Sequence, residues 1–160
     1  MGHIYRVGAY VKLAKLWERS RARTIEYHKA YYKRKYENNA IMELAGIYID
    51  ITGNKHIYQR PEMVRLLSDC KTGKVDCIAS QTGGYLAANL EEFCYLYSYI
   101  SEFNNEIAFV TEDDQYQINT IENPEKQKEE LTRMAKNYTE ATLKEYELWK
   151  ENVEHAIAKM

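Results

Sequence analysis

Hydrophobic and polar positions change their spacing several times along the first 121 residues, and these changes mark out strands and helices. Short runs rich in Ile, Val and Tyr, which favour buried strands, lie at 4–13, 41–50, 75–80 and 106–110. Between these runs, apolar residues recur every three or four positions, as they do on one face of a helix. The alternation predicts an α/β fold with a doubly wound, mainly parallel sheet and helices on both faces. The carboxyl ends of the strands are the expected functional edge of such a sheet.

Three helices are predicted between the strands. The first covers residues 18–37 and presents one stripe to the sheet, formed by Ile25, His28, Tyr32 and Tyr36. Pro61 suits the first turn of the second helix, because its fixed φ is helical and its missing N–H is not needed there. This second helix ends at Gly73. Residues 81–89 are predicted to form a loop, and the third helix follows through residues 93–100.

The last third of the chain has a different pattern. After Pro124 there is neither Gly nor Pro, and apolar residues recur every three or four positions as far as Met160. This spacing predicts one long amphipathic helix. We therefore expect an α/β domain over residues 1–121, followed by a helical segment over residues 122–160.

The long helix is expected to reach beyond its own domain. About 36 residues at 1.5 Å each give a helix longer than a domain of this size is wide. An apolar stripe on an overhanging helix marks an association surface. The stripe expected to play this role consists of Tyr138, Tyr146, Trp149, Val153 and Ile157. The competing interpretation is a helix that folds back onto its own domain through a kink at Asn137–Tyr138 or at Asn152.

Composition and charge exclude several classes of function. The 160 residues are enough for one domain, and 45% hydrophobic with 29% charged residues is typical of a globular protein. A net charge of −2 gives no overall attraction to nucleic acid or anionic lipid. No apolar run is long enough for a membrane helix and no signal peptide precedes residue 10, so a cytoplasmic location is expected.

Cysteine and histidine positions indicate neither a disulfide framework nor a metal site. The three cysteines, Cys70, Cys77 and Cys94, form no CxxC pair, and the four histidines share no regular spacing. We interpret the cysteines as small buried hydrophobic residues and His28 as a packed helix residue. No cofactor is expected.

Basic residues are concentrated near the first predicted helix. Between residues 12 and 35 there are nine basic and two acidic residues, with tyrosines among them. This composition suits contact with a phosphate backbone. The simpler interpretation, which we favour, is a solvated helix face whose tyrosines are half-buried.

Four segments, in this order along the chain, resemble the catalytic domain of serine recombinases, the resolvase and invertase family. They read GAYVKLA, GIYID, QRPEMVRLL and GKVDCI, and the resemblance extends over residues 5–121. It implies a resolvase-like α/β fold with a DNA-cleaving site at the strand ends. In that family an Arg-x-Ser motif ends the first strand, and its serine attacks a DNA phosphate. Two further arginines follow the third strand.

This chain departs from the family pattern at most of those positions. Lys12 and Ala14 stand where the motif has arginine and serine, and Tyr85 and Ala88 replace the two later arginines. Arg60 is kept in its Arg-Pro setting. Alanine has no oxygen that could attack phosphorus, and the loss of one preorganised charge donor typically costs two to three orders of magnitude in rate. We therefore expect a degenerate site with no catalytic residues.

The favoured functional hypothesis is a catalytically silent recombinase-like domain that acts by association. Its expected partner is a second copy of itself, as a homodimer or small oligomer, or an active recombinase. The resemblance implies that a DNA-binding region follows the long helix, and the sequence ends at Met160. Any DNA binding by this chain is therefore expected to be weak and non-specific.

Two alternatives from other classes remain open. One is a module that binds a phosphate ligand or nucleic acid through Lys12, Asp50 and Arg60 at the strand edge. For Asp50 we favour a structural role, because the resemblance also implies an acidic residue there. The other is a residually active recombinase in which Ser20 or Ser80 replaces the missing nucleophile.

Overall fold

The computed structural model describes residues 2–112, 117–122 and 124–160, and it contains one sheet of four parallel strands. The strands are β1 (Tyr5–Leu13), β2 (Met42–Ile51), β3 (Cys77–Ser80) and β4 (Ala108–Thr111). Their order across the sheet is β2-β1-β3-β4, and every pairing is parallel. The predicted parallel α/β sheet is confirmed.

Helices connect the strands and continue beyond the sheet. They are α1 (Arg21–Tyr36), α2 (Pro61–Lys71), α3 (Gly83–Leu86), α4 (Leu90–Ser101), α5 (Glu129–Ala141) and α6 (Leu143–Ala158). A 3-10 helix, Lys15–Ser20, precedes α1 where the sequence predicted the first helical turn. The predicted loop at 81–89 contains the short helix α3.

The two faces of the sheet carry two separate hydrophobic clusters. Along β1, Val7, Ala9 and Val11 point to one face, where Tyr32 and Tyr36 of α1 cover them. Tyr10 points to the other face, into a larger cluster that includes side chains from α2, α4, α5 and α6. The alternation follows from the two-residue period of a strand. The helices therefore lie on both faces, as predicted, and α1 lies on the face opposite α2 and α4.

The C-terminal segment forms a π-helix (Pro124–Lys128) followed by α5 and α6. Helices α5 and α6 are separate because the backbone leaves the helical conformation at Thr142, where φ is −126° and ψ is 44°. The prediction that its far half overhangs is wrong. Tyr146, Trp149 and Val153 are 7%, 6% and 0% exposed, and they belong to the same hydrophobic cluster as α2 and α4. The fold-back interpretation is the one observed, with the bend at Thr142 and not at the positions expected for it.

Polar contacts on α4 explain how an aromatic stripe is buried in this way. The indole N–H of Trp149 donates to Glu92 Oε2 at 2.9 Å, and the Tyr146 hydroxyl donates to Glu102 Oε2 at 2.5 Å. The hydroxyls of Tyr95 and Thr142 lie 2.8 Å apart. Buried Tyr and Trp side chains need such partners. The remaining members of the stripe, Tyr138 and Ile157, are partly buried against the same cluster.

All three cysteines are free and buried, and His28 is buried on α1, as predicted. Burial raises the pKa of the Cys77 thiol to about 12. In the part of the chain that the structure describes, no helix is long and apolar enough to cross a membrane. Among those same residues, no three His, Cys, Asp or Glu side chains are grouped as a metal site.

Candidate functional site at the carboxyl edge of the sheet

The candidate site lies where β1, β2 and β3 end, because parallel strands bring their carboxyl ends to one edge. Lys12 is aligned with Asp50 across the β1–β2 pair. Ser80, at the end of β3, is 1% exposed, and its hydroxyl donates to the Tyr10 carbonyl at 2.9 Å. Ser20 Oγ lies 3.2 Å from Thr24 Oγ1. Neither serine occupies the tip of β1, where the resemblance implied a nucleophile.

Asp50 caps the start of α2. It is 4% exposed, and its two carboxylate oxygens accept hydrogen bonds from the backbone N–H groups of Glu62 and Met63 at 3.0 and 2.9 Å. The Tyr10 hydroxyl donates to the same carboxylate at 2.8 Å. A negative charge at a helix N-terminus is stabilised by the exposed N–H groups there. Burial, and after it the Asp50 charge, raises the pKa of Tyr10, so that this hydroxyl stays a donor. These contacts favour the structural interpretation of Asp50.

Arg60 is enclosed by the protein. Its side chain is among the largest that are fully buried, at 1% exposed. One terminal nitrogen donates to the carbonyls of Tyr85 and Leu86 at 2.9 and 3.3 Å, and the other donates to the Lys55 carbonyl at 2.7 Å. The Nε atom donates to the Asn54 carbonyl at 3.3 Å. All three guanidinium nitrogens therefore have backbone acceptors, and the side chain ties the loop after β2 to α3.

Lys12 and Ala14 occupy the end of β1 and the residue after it. Lys12 is half-buried, and burial together with the positive charge of Arg60 lowers the pKa of its amine. Ala14 is exposed and extended, with φ −65° and ψ 153°, at the start of the 3-10 helix. Two large apolar side chains follow it, Leu16 at 72% and Trp17 at 50% exposed. The tip of β1 therefore presents apolar surface and no nucleophile.

The segment after β3 contributes backbone to this edge. Neither position 85 nor position 88, where the family pattern has arginines, carries a cationic side chain. Tyr85 is partly buried against the hydrophobic clusters and Ala88 is exposed. Asn89 caps α4 by accepting a hydrogen bond from the Glu92 N–H at 2.8 Å. Asn89 therefore has a helix-capping role.

A cavity of about 520 Å³ lies at the opposite, amino edge of the sheet. The charged groups around it are paired with each other. Asp76 contacts His3 at 2.6 Å and Arg6 at 3.2 Å, and Lys128 is paired with Glu106. This pairing leaves little charge to attract a ligand, so the carboxyl edge remains the candidate site.

Comparison with solved structures identifies the fold. The crystal structure of the N-terminal catalytic domain of TP901-1 integrase matches with a TM-score of 0.52 and 16% sequence identity. The match covers 89% of this chain and 98% of that one. The C-terminal catalytic domain of ISC1926 TnpA, an IS607-like serine recombinase, matches with a TM-score of 0.48 and 19% identity, over 68% of this chain and 71% of that one.

The chain has the fold of a serine recombinase catalytic domain. At the level of fold, this confirms the resemblance inferred from the sequence segments. No sequence profile of a protein family matches the chain, and no curated protein sequence matches it.

Lys12, Asp50 and Arg60 lie at the carboxyl edge, where the sequence predicted them, but two features of their surroundings were not predicted. The enclosure of Arg60 depends on the loop after β2 and on α3, and no local pattern indicates those contacts. The exposed pair Leu16 and Trp17 could have been noticed, because two adjacent large apolar residues lie three and four positions after the end of β1.

Proposed function

We propose that this chain is a serine-recombinase-like domain that does not cleave DNA and that acts by protein association. Its partner is a second copy of itself or an active recombinase. One observation carries the proposal. Arg60, the single arginine kept from the family pattern, has every guanidinium nitrogen bonded to backbone carbonyls. The group that would stabilise a phosphate is therefore already used within the fold.

The chemistry of phosphoryl transfer supports the loss of cleavage. The reaction needs a nucleophile and donors that bind the charged equatorial oxygens of the phosphate. Ala14 and Ala88 have no polar side-chain atoms. If Arg60 turned outward, four backbone carbonyls would lose this donor, and the loss would be most costly at the buried bond to Leu86. The same enclosure counts against a phosphate-binding module at this edge, since Asp50 is also bonded to the protein.

Covalent trapping on DNA tests the loss of cleavage. A duplex with a nick near the target bond retains any protein–DNA adduct, because the released end diffuses away. We expect no adduct after incubation with a set of such duplexes, while an active serine recombinase on its own site gives one. An adduct whose linkage maps to any residue of this chain would contradict the proposal.

The association role draws support from the exposed apolar pair beside the silent site. Because α6 buries its stripe, Tyr146, Trp149 and Val153 are not available to a partner. Leu16 and Trp17 are exposed at 72% and 50% on a 3-10 helix that has no buried residue. Adjacent exposed apolar side chains of this size are typical of association surfaces.

Light scattering with matched variants tests the association role. The intact chain is expected to be a dimer or small oligomer at tens of micromolar. Replacing Leu16 and Trp17 by Glu is expected to give a monomer, because two charges would be placed in the contact. Leu148→Glu is the control, since Leu148 is also exposed, at 61%, but lies on α6. A monomeric parent that also fails to retain an active recombinase in a pull-down would reject association.

A further inference from the structure

The solvent-facing side of α1 is rich in basic residues, in a chain whose net charge is −2. Of the 22 basic and 24 acidic residues, nine basic and only two acidic residues lie between residues 12 and 35. Helix α1 packs on the sheet through its buried side chains, which are Thr24, His28, Tyr32 and Tyr36. The basic residues that remain on α1 must therefore either pair with neighbours or face solvent.

Two of these basic residues are paired and four are not. Arg21 bonds to Glu18, and Lys35 bonds to Glu112 on the side that faces β4. The unpaired ones, which are exposed and lie within 4.0 Å of no carboxylate among the described residues, are Arg23, Lys29, Lys33 and Arg34. The one acidic residue within α1 is Glu26. Positive charge on this face is therefore largely unneutralised.

An exposed aromatic ring lies within the same face. Residues Arg23, Tyr27, Ala30 and Arg34 are spaced three or four apart, so they follow one row along the helix. Tyr27 is 63% exposed. A ring between cations at this spacing offers a stacking surface together with charges that contact a phosphate backbone.

Space for a ligand lies beside this row, where α1 meets β2 at the edge of the sheet. Two open depressions, of about 410 and 590 Å³, lie there. Lys33 and Leu44 line both of them, and Lys29 and Arg65 line the first. Glu37 also lines the second depression, and Arg65 is ion-paired with Glu62. The positive charge available to a ligand there comes from Lys29, Lys33 and Arg34, beside apolar side chains that suit sugars and bases next to phosphates.

We propose that the outer face of α1 binds single-stranded nucleic acid. Phosphates contact Arg23, Lys29, Lys33 and Arg34, and a base stacks on Tyr27. The 16 residues of α1 span about 24 Å, which allows several successive nucleotides to bind. A duplex would use the charges but leave Tyr27 without an unpaired base. A lipid surface fits less well, because the other apolar side chains of α1 face the sheet. This surface is separate from the strand edge, and it does not depend on whether that edge is silent.

The test measures binding of fluorescently labelled oligothymidylate of 20 nucleotides by anisotropy, with a 20-base-pair duplex alongside, at 50 and 200 mM salt. We expect the single strand to bind at least fivefold more tightly than the duplex. With four phosphate contacts, the logarithm of affinity should fall with the logarithm of salt concentration with a slope of about −3. Tighter binding to the duplex, or no salt dependence, would overturn the proposal.

Variants locate the surface. Arg23→Glu with Arg34→Glu is expected to weaken binding at least tenfold at 50 mM salt, and Tyr27→Ala at least fivefold with the salt slope unchanged. The control is Lys136→Glu with Lys144→Glu, which makes the same change in net charge at exposed positions of α5 and α6.

The control pair should bind within twofold of the parent. An equal loss in the control pair would show that overall charge, and not α1, determines binding. If the Arg23 and Arg34 variant does not fold, as judged by circular dichroism, Tyr27→Ala decides the test. Unchanged affinity in that variant overturns the proposal.

Discussion

At the scale of single residues, two polar side chains of the candidate site, Asp50 and Arg60, are bonded to the protein itself. Asp50 holds the N-terminus of α2 and the Tyr10 hydroxyl, and Arg60 holds four backbone carbonyls. Such contacts stabilise the fold and leave little polar capacity for a ligand. Ala14, directly after the end of β1, has no side-chain group that could react or form a hydrogen bond. The edge is therefore a structural junction between the sheet, α2 and α3.

Arg60→Ala is expected to lower the free energy of unfolding by about 3 kcal/mol, because four carbonyls lose their donor. Urea denaturation of parent and variant measures the difference. Arg19→Ala, at an exposed arginine, is the control and should change stability by less than about 0.5 kcal/mol. A loss below about 1 kcal/mol for Arg60→Ala would show that these hydrogen bonds contribute little.

Gly8→Ala is expected to destabilise the domain by about 1–3 kcal/mol, because the core there has no room for a methyl group. A Cβ at Gly8 would lie 2.6 Å from Leu66 Cδ1 and 3.0 Å from Val75 Cγ1. Gly53→Ala is the matched control, since nothing lies within 4 Å of its Cβ position. Equal melting temperatures for the two variants would contradict the close packing of α2 on β1.

At the scale of elements, the folding back of α6 decides which surfaces are free. The break at Thr142 lets α5 pack on α4 while α6 contacts both α2 and α4. The buried carboxylate of Glu92 then accepts from the Trp149 indole and from the Ile57 backbone N–H, which links α6 to the loop before α2. The aromatic stripe of α6 therefore completes the core of the domain.

Val153→Asp is expected to lower the free energy of unfolding by about 4 kcal/mol, because an unpaired charge would replace a side chain that is 0% exposed. Leu148→Asp on the same helix controls for helix propensity. Leu148 is 61% exposed, and the expected loss is less than about 1 kcal/mol. Thermal unfolding by circular dichroism distinguishes the two. A Val153→Asp protein that melts like the Leu148→Asp protein would mean that α6 is not docked as described.

The sequence predicted the sheet, α1, α2 and α4 well, because each has a local period and clear boundaries such as Pro61 and Gly73. It predicted the stripe of α6 correctly but not what the stripe contacts. The period of a helix shows which side chains are to be buried, and it does not show whether the covering surface belongs to the same chain. Thr142 did not mark the break either, since a single threonine lowers helix propensity only slightly and does not by itself end a helix. The hydrogen bonds of Arg60 could not be predicted from the sequence either, because their acceptors are backbone carbonyls.

At the scale of the whole molecule, the chain has the fold of a serine recombinase catalytic domain, and we propose that the edge used for cleavage in that family serves here to hold the fold together. The sheet order and the helices on both faces need none of the catalytic side chains. The surfaces left for function are then the exposed apolar pair at Leu16 and Trp17 and the basic face of α1.

Incubation with supercoiled plasmid tests the central claim most directly, because a single cleavage of one strand relaxes the whole molecule. We expect that the parent protein leaves the plasmid supercoiled. Ala14→Ser should do the same, since Tyr85 and Ala88 supply no arginine fork and Arg60 is bonded to backbone. Relaxed or nicked plasmid produced by the parent or by Ala14→Ser would contradict the account.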